Sequence, residues 1–234
     1  MVLPKDKKSK PTVDGLPELP SIQPAKTKLS DHVYDVICDY IVKGRFEPGQ
    51  RLREAEVAEG LNVSRTPVRE AFARLERQHL LERDPTGAYL VPVWDRQILW
   101  EVATLRGTLE GLAASLLKDR LVAADFDFLQ SIIHRMGAAN KRGDYDALIE
   151  LDITFHSFLW SQIPHSILSE TLNRMKAQVL YFMYITRPGD EETYEETHQE
   201  LLDLFYSGDI EQAVEAIKEH ILITAENAIE RMFE

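Results

Sequence analysis

The sequence predicts a mainly α-helical protein made of two parts. A small N-terminal domain of helices and a short β-hairpin is followed by an all-α antiparallel bundle of six helices or slightly more. Two observations predict this fold. Two short amphipathic helices and two strand-like segments precede residue 94, and apolar residues then recur with helical spacing almost without interruption to the C-terminus.

The composition limits the class of protein. The 234 residues allow one or two domains, and a hydrophobic fraction of 44% is enough for a packed core. No apolar run reaches 18 residues and no secretory signal is recognisable, so we expect no membrane span and no export. A single cysteine, Cys38, favours the reducing cytoplasm.

The net charge of −12 is unevenly distributed along the chain. Residues 1–28 carry six Lys against three acidic residues, and residues 29–93 carry nine Lys or Arg against eleven acidic residues. The acidic excess therefore belongs to the segment after residue 93, and the net charge does not argue against nucleic-acid binding by the N-terminal part.

The N-terminal part begins with two different segments. Residues 1–28 are rich in Lys and Pro and lack periodicity, which predicts a disordered tail. A first helix follows, capped by Ser30 or Asp31, with Val33 and Ile37 on its inner face.

Residues 51–77 predict two helices joined by a tight break. We expect the first over 54–59, the break over 60–63, and the second from Ser64 to about Gln78. Ser64 is a suitable N-cap because its hydroxyl can accept a hydrogen bond from a free first-turn N–H. Apolar residues fall on one side of the second helix: Val68, Phe72 and Leu75.

Arg65, Thr66 and Arg69 lie at the exposed N-terminal end of that second helix. A helix that buries one side and presents arginines at its N-terminus suits the major groove of DNA. The alternative is an ordinary helical hairpin with solvated arginines. Two strands predicted over 80–83 and 88–93, with a turn at 85–87, complete a winged helix-turn-helix and favour the DNA-binding interpretation.

These residues carry a resemblance to a known family. The pattern Gly44-x3-Pro48-Gly49-x2-Leu52, the run VSRTPVREA over 63–71, and Leu75-Glu76 resemble the DNA-binding domain of the GntR family of bacterial transcription factors. The resemblance covers 29–93, with His79 where the family usually has Gly and Ala55 where one member has a DNA-contacting arginine. It implies double-stranded operator DNA as partner, contacted by Arg53, Ser64, Arg65, Thr66, Arg69 and Gly87.

Residues 94–234 predict the helical bundle. The predicted helices are 95–118, 123–141, 145–162, 165–186, 191–207 and 210–232, separated by Gly- or Pro-containing breaks. Short loops between helices imply antiparallel neighbours. The first of these helices is expected to turn one apolar row inward: Ile98, Val102, Leu105, Leu109 and Leu112.

Four polar residues of the bundle have metal-ligand character. Asp152 and His156 share one helix face, and His198 and His220 lie at similar distances from the turn near Gly208. Their convergence would suit a divalent transition metal, for which we expect Zn, with Ni or Mn as alternatives. The alternative is a set of core histidines that are simply hydrogen-bonded.

A second resemblance supports the metal. Asp152-x3-His156 and His198-x9-Gly208-Asp209-x3-Ala213-x6-His220 are similar to the FCD ligand domain of the FadR-type GntR subgroup, over about 95–232. The resemblance implies that these four residues bind the metal and that Arg106 binds the carboxylate of a small organic acid effector. For Arg106 the alternative is a salt bridge with Glu110.

The sequence therefore predicts a cytoplasmic, homodimeric transcription regulator of the repressor type, controlled by a small organic acid at a metal site, and not an enzyme. Two alternatives stay open at this point. The Asp/His cluster could belong to a metalloenzyme, because carboxylate and imidazole ligands with open positions also occur in catalysis. The bundle could instead only dimerise a DNA-binding protein around a purely structural metal.

Overall fold

The computed structural model describes residues 20, 28–186 and 194–234. The chain divides into two compact units between Val93 and Trp94. The described elements are α1 Leu29–Val42, β1 Arg51–Leu52, α2 Glu54–Leu61, α3 Arg65–Arg77, β2 Glu82–Arg83, β3 Tyr89–Leu90, α4 Arg96–Ser115, α5 Ala123–Asn140, α6 Tyr145–Gln162, α7 Ser166–Thr186, α8 Tyr194–Ser207 and α9 Ile210–Phe233. The predicted mainly α-helical fold is confirmed. The tail predicted over 1–28 lies outside the described residues, except for residues 20 and 28.

The N-terminal unit is a winged helix. Helix α1 packs across α3, and α3 packs on α2. Apolar residues of both helices, such as Ile37 of α1 and Phe72 of α3, are fully buried. The wing is a three-stranded antiparallel sheet in the order β1-β3-β2, with Leu52 opposite Tyr89 and Arg83 opposite the same residue on the other side. Strand β1 was not predicted, because two residues give no readable alternation.

The turn of the helix-turn-helix differs in detail from the prediction. Helix α2 continues to Leu61, so Gly60 lies inside it, and Asn62 ends the helix with a left-handed φ of 56°. Ser64 precedes α3 in an extended conformation at the expected N-cap position. Its side chain makes no capping hydrogen bond, so the predicted cap bond is wrong and the hydroxyl stays exposed.

A second left-handed residue explains the family preference at the start of the wing. His79 has a φ of 54°, and the amide of Leu80 donates to the carbonyl of Leu75 across this turn at 2.9 Å. A left-handed backbone costs a residue with a Cβ roughly 1–2 kcal/mol, whereas Gly adopts it freely. The tight exit from α3 therefore favours Gly, and His79 bears that strain here.

The C-terminal unit is a helical bundle whose helices begin and end within a few residues of the predicted positions. Helix α4 packs along α9, α5 packs on α6 and α8, and α7 packs on α6 and α4. The side chains of Asp95, Asp144 and Asp209 each accept a hydrogen bond from the amide three residues ahead, which caps α4, α6 and α9. The predicted break at Pro188-Gly189 lies outside the described residues. Among the described helices, none is long and apolar enough to cross a membrane.

The prediction for the inner face of α4 was wrong. Leu105 and Leu112, expected inside, are 52% and 47% exposed. The buried face instead carries small and polar residues, including Gly107 and Glu110. The reason is the close approach of α9: a Cβ at Gly107 would lie 3.8 Å from Ile221, and one at Gly111 would lie 2.5 Å from Cε of Lys218.

Candidate DNA-binding surface and metal centre

The N-terminal end of α3 presents a basic, exposed surface. Arg65, Thr66 and Arg69 are all exposed. Nε of Arg69 pairs with Glu54 at 3.2 Å, whereas Arg65 makes no ion pair with any described residue. Arg53 is also exposed and pairs with Glu56 at 2.7 Å. DNA phosphates would therefore meet Arg65 directly but would compete with carboxylates for Arg53 and Arg69.

The tip of the wing is a hydrogen-bonded turn. The side chain of Asp84 accepts hydrogen bonds from the amides of Thr86 and Ala88 at 2.8 and 2.9 Å. A hydrogen bond from the Thr86 hydroxyl and the two amide hydrogen bonds lower the pKa of Asp84. They outweigh the opposite effect of burial and hold this pKa below its usual value. Gly87 follows with a φ of 81° and open space around its Cα, so the backbone is exposed at the tip.

The bundle brings Asp152, His156, His198 and His220 together. One potential ligand atom from each residue lies within 4.8 Å of all the others. Nε2 of His198 is 3.2 Å and Nε2 of His156 is 3.9 Å from Oδ1 of Asp152. Asp152, His156 and His198 are buried, and His220 is partly exposed. The first two residues share a face of α6, while α8 and α9 each add one imidazole.

Both buried imidazoles are held by their Nδ1 atoms. Nδ1 of His156 lies 2.6 Å from Oε2 of Glu110, and Nδ1 of His198 lies 2.7 Å from the carbonyl oxygen of Tyr194. Acceptors at both Nδ1 atoms favour the tautomer with hydrogen on Nδ1, which leaves the lone pair on Nε2. These two Nε2 atoms are buried and form no hydrogen bond with any described residue.

The donor set therefore fits a metal. Two ligands of one Zn²⁺ ion, each about 2.0–2.2 Å from it, lie roughly 3–4 Å apart, which is close to the spacing of this cluster. Buried nitrogen lone pairs without a partner are costly in an apolar interior, and a cation would satisfy both. Imidazole with one carboxylate is also the ligand chemistry that suits Zn, Ni and related ions.

Arg106 borders the cluster and is tied to Glu110. Its Nε donates to Oε1 of Glu110 at 2.6 Å, while its Nη2 lies 3.7 Å from Oδ2 of Asp152. The salt bridge with Glu110, which the sequence left open as the alternative role of Arg106, thus exists. Nη2 is nevertheless buried and makes no hydrogen bond within the described part of the chain. The guanidinium keeps one donor edge available for another anion.

The buried charges hold one another in their ionised forms. Burial opposes ionisation of Glu110, but Arg106 and His156 overcome it and lower the pKa of Glu110 to about 2. Burial likewise opposes ionisation of Asp152, and the neighbouring His156, His198 and Arg106 hold its pKa well below the usual range. At His220, burial and the nearby imidazoles depress the pKa, so the ring is neutral at pH 7. Neutral imidazole is the form that binds metals.

The role of Glu110 was only partly predicted from the sequence. It entered the prediction only as a competing partner of Arg106, but its two oxygens join Arg106 to His156. The signal was present in part, because Arg106 and Glu110 are four residues apart on one helix face. The contact with His156, 46 residues away, requires the packing of α4 on α6 and has no local signature.

A winged helix with exposed arginines is joined in one chain to an all-α domain that contains a candidate metal centre. This architecture is that of a DNA-binding regulator. Family comparison agrees: residues 29–91 match bacterial regulatory proteins of the gntR family, and residues 101–222 match the FCD domain. The chain belongs to the GntR family of transcription regulators, with an FCD domain as its C-terminal part.

Several known proteins are similar to this chain. The HTH-type transcriptional regulator McbR of Escherichia coli is 30% identical over 60% of this chain and 65% of its own length. The regulator YdhC of Bacillus subtilis is 26% identical over 81% of this chain and 84% of its own length. The gluconate operon transcriptional repressor of Bacillus subtilis is 29% identical over 67% of this chain and 64% of its own length. This chain thus spans just under two thirds of the first and third relatives.

A solved structure of a similar regulator has the same fold. A solved structure of E. coli McbR/YncC superposes with a TM-score of 0.76 at 25% identity, over 89% of this chain and all of that one. These relatives are transcription regulators and not enzymes, so the metalloenzyme alternative is not supported and the prediction that the chain is no enzyme is confirmed.

Proposed function

We propose that this protein is a metal-containing repressor whose affinity for operator DNA is controlled by a small organic acid bound in the FCD domain. The observation that carries the proposal is the buried cluster, in which two Nε2 atoms and one Arg106 Nη2 lack hydrogen bonds among the described residues and lie around Asp152. A cation and an anion together would satisfy these groups.

The DNA-binding role is proposed for the domain of residues 29–93. Its exposed arginines, Arg53, Arg65 and Arg69, have the reach to contact base edges or phosphates. Ser64 and Thr66 offer hydroxyls at the same end of α3, and Gly87 offers exposed backbone at the wing tip. Arg65 is expected to contribute most, because no carboxylate of the described chain competes for it.

The metal role is proposed for Asp152, His156, His198 and His220. When bound, a divalent ion, which we propose to be Zn with Ni or Mn as alternatives, would supply a Lewis-acidic coordination point for an anion. The chain's own residues do the remaining work. Glu110 and the Tyr194 carbonyl orient the imidazoles, and Arg106 directs Nη2 to the anion.

A homodimer is proposed as the DNA-binding form, acting in the cytoplasm. One α3 reads few base pairs, so a two-fold operator with one winged helix per half-site gives the specificity that a regulator needs. The surface proposed for dimerisation is the row of Ile98, Leu105 and Leu112. These exposed apolar residues are spaced by seven along α4, a repeat that pairs with a second copy of itself around a two-fold axis.

The experiment is a titration of operator DNA with metal-loaded, full-length protein. The operator is first selected from genomic fragments, and binding is then measured by fluorescence anisotropy with and without a panel of small carboxylates. We expect at least one acid to weaken operator binding about fivefold or more. If every acid leaves the affinity unchanged while the metal is bound, the FCD domain is a structural dimerisation unit and the proposal is contradicted.

A further inference from the structure

The candidate site opens into a cavity with two different sides. The cavity lies between α4, α6, α7 and α9 and is partly open to solvent. Arg106, Asp152 and His220 form its polar end. Among the described residues, the rest of the lining is apolar except for Thr224, and the main wall residues are Val179, Phe182, Met183, Ile221 and Ala225.

The net charge of the polar end suits one carboxylate of the ligand. Arg106 carries one positive charge and forms ion pairs with Glu110 at 2.6 Å and with Asp152 at 3.7 Å, and each of these carboxylates carries one negative charge. A divalent ion held by the neutral imidazoles leaves one positive charge in total. A monocarboxylate would neutralise this site, whereas a second carboxylate on the ligand would meet no cation among the wall residues.

The apolar wall selects what is attached to that carboxylate. Val179, Phe182 and Met183 on α7 and Ile221 and Ala225 on α9 offer neither donors nor acceptors from their side chains, and their helical backbones are already hydrogen-bonded. A ligand hydroxyl placed against them would lose water without gaining a partner, which is unfavourable. A hydrocarbon chain would lose unfavourable contact with water.

We infer that the effector is a small amphiphilic monocarboxylate, with its carboxylate at Arg106 and the metal and a short apolar tail along α7 and α9. Polyhydroxylated acids and dicarboxylates are disfavoured by the same wall. The inference rests on the proposed function and adds the ligand class to it. The hydroxyl of Thr224 can form a hydrogen bond with one polar substituent on the tail.

The experiment compares four six-carbon probes on the full-length, zinc-loaded protein: hexanoate, adipate, gluconate and 1-hexanol. They differ in a second carboxylate, in hydroxyls and in the absence of a carboxylate. Isothermal titration calorimetry measures binding, and a thermal shift confirms it, because a ligand that binds the folded state raises the melting temperature. We expect hexanoate to bind roughly tenfold or more tightly than each of the other three.

A variant tests the wall itself. Val179→Thr keeps the side-chain shape and replaces one methyl group by a hydroxyl, so hexanoate should bind several-fold more weakly. Val214→Thr, half-buried on α9 and outside the cavity lining, is the matched control and should bind hexanoate like wild type. Equal hexanoate affinity in wild type and Val179→Thr would contradict the tail assignment.

The outcomes separate this inference from the function on which it rests. Tighter binding of gluconate or adipate than of hexanoate, or no binding of hexanoate to protein that holds zinc and binds operator, overturns the inference and leaves the proposed function standing. Failure of the purified protein to hold any divalent metal or to bind operator DNA overturns the proposed function itself.

Discussion

Oε2 of Glu110 lies 2.6 Å from Nδ1 of His156, and the two side chains are fully buried. The other oxygen of Glu110 accepts from Arg106 at the same distance. One carboxylate therefore orients an imidazole of the candidate metal centre and an arginine of the candidate effector site. Outer-shell carboxylates of this kind fix both the tautomer and the orientation of a metal-binding histidine.

Glu110→Gln should lower metal affinity by about 10–100-fold, because the amide removes the charge that favours hydrogen on Nδ1 of His156. Competition with a chromophoric chelator measures the effect. Glu101→Gln, on an exposed position of the same helix, is the control and should bind metal like wild type. Unchanged affinity in Glu110→Gln would show that His156 does not depend on this carboxylate.

Arg106→Ala should weaken binding of the carboxylate effector while the protein retains its metal. The guanidinium faces the cavity through Nη2, whereas the four candidate ligands belong to other residues. Because removing one member of a buried ion pair costs roughly 3–5 kcal/mol, Arg106→Lys is measured beside it as a variant that keeps the charge. Effector titration and elemental analysis of both variants provide the answer, and loss of metal in Arg106→Lys would mean that the residue supports the metal instead.

Arg65→Ala should reduce operator affinity by about 1–3 kcal/mol if the side chain contacts a base through two hydrogen bonds. If it contacts phosphate, the loss should be similar for all DNA sequences and the salt dependence should become shallower. Arg174→Ala, at an exposed position on α7, is the matched control. Operator affinity equal to wild type in Arg65→Ala would remove α3 from the DNA interface.

Leu105→Asp should weaken dimerisation by about 2 kcal/mol or more, because it places a charge in the middle of the apolar row of α4. Sedimentation velocity at micromolar concentration should show a monomer. Ile167→Asp changes another exposed apolar residue, which is 73% exposed on α7, and should remain dimeric. A dimeric Leu105→Asp protein would place the interface elsewhere.

Metal affinity should fall as the pH decreases, because protons compete with the metal for the imidazoles. The lowered pKa of His220 has a related effect on the metal-free protein. As the pH falls, the unfolded chain takes up a proton at this residue before the folded chain does. The contribution of His220 to the free energy of unfolding is therefore present above about pH 6.5, the ordinary pKa of histidine, and is lost as the pH falls. Chelator competition and urea unfolding between pH 8 and 5 measure both trends, and flat profiles would contradict them.

The sequence predicted the helices well because local signals define them. Asp95, Asp144 and Asp209 mark three helix starts through cap bonds that involve residues only three positions away. The winged helix was predictable for the same reason, from the spacing of α2, α3 and the turn at 85–87. The predicted spacing of His198 and His220 about their turn also agrees with their 4.7 Å ring separation.

Features that depend on packing between distant helices were not predictable. The apolar row of α4 was expected inside because periodicity identifies a hydrophobic face but not what covers it. The face that is buried uses Gly107 and Gly111 to admit α9, and small residues carry little hydrophobic signal. Glu110 contacts both Arg106 and His156. Its contact with His156 depends on the packing of α4 against α6 and likewise could not be predicted.

The metal content of the purified protein tests the central claim most directly. Elemental analysis of wild type and His198→Ala, each purified without added chelator, gives the number of divalent ions per chain. The site assignment predicts about one ion in wild type and a strong loss in His198→Ala, because three ligands hold an ion much less tightly than four. Equal metal content in the two proteins would contradict it.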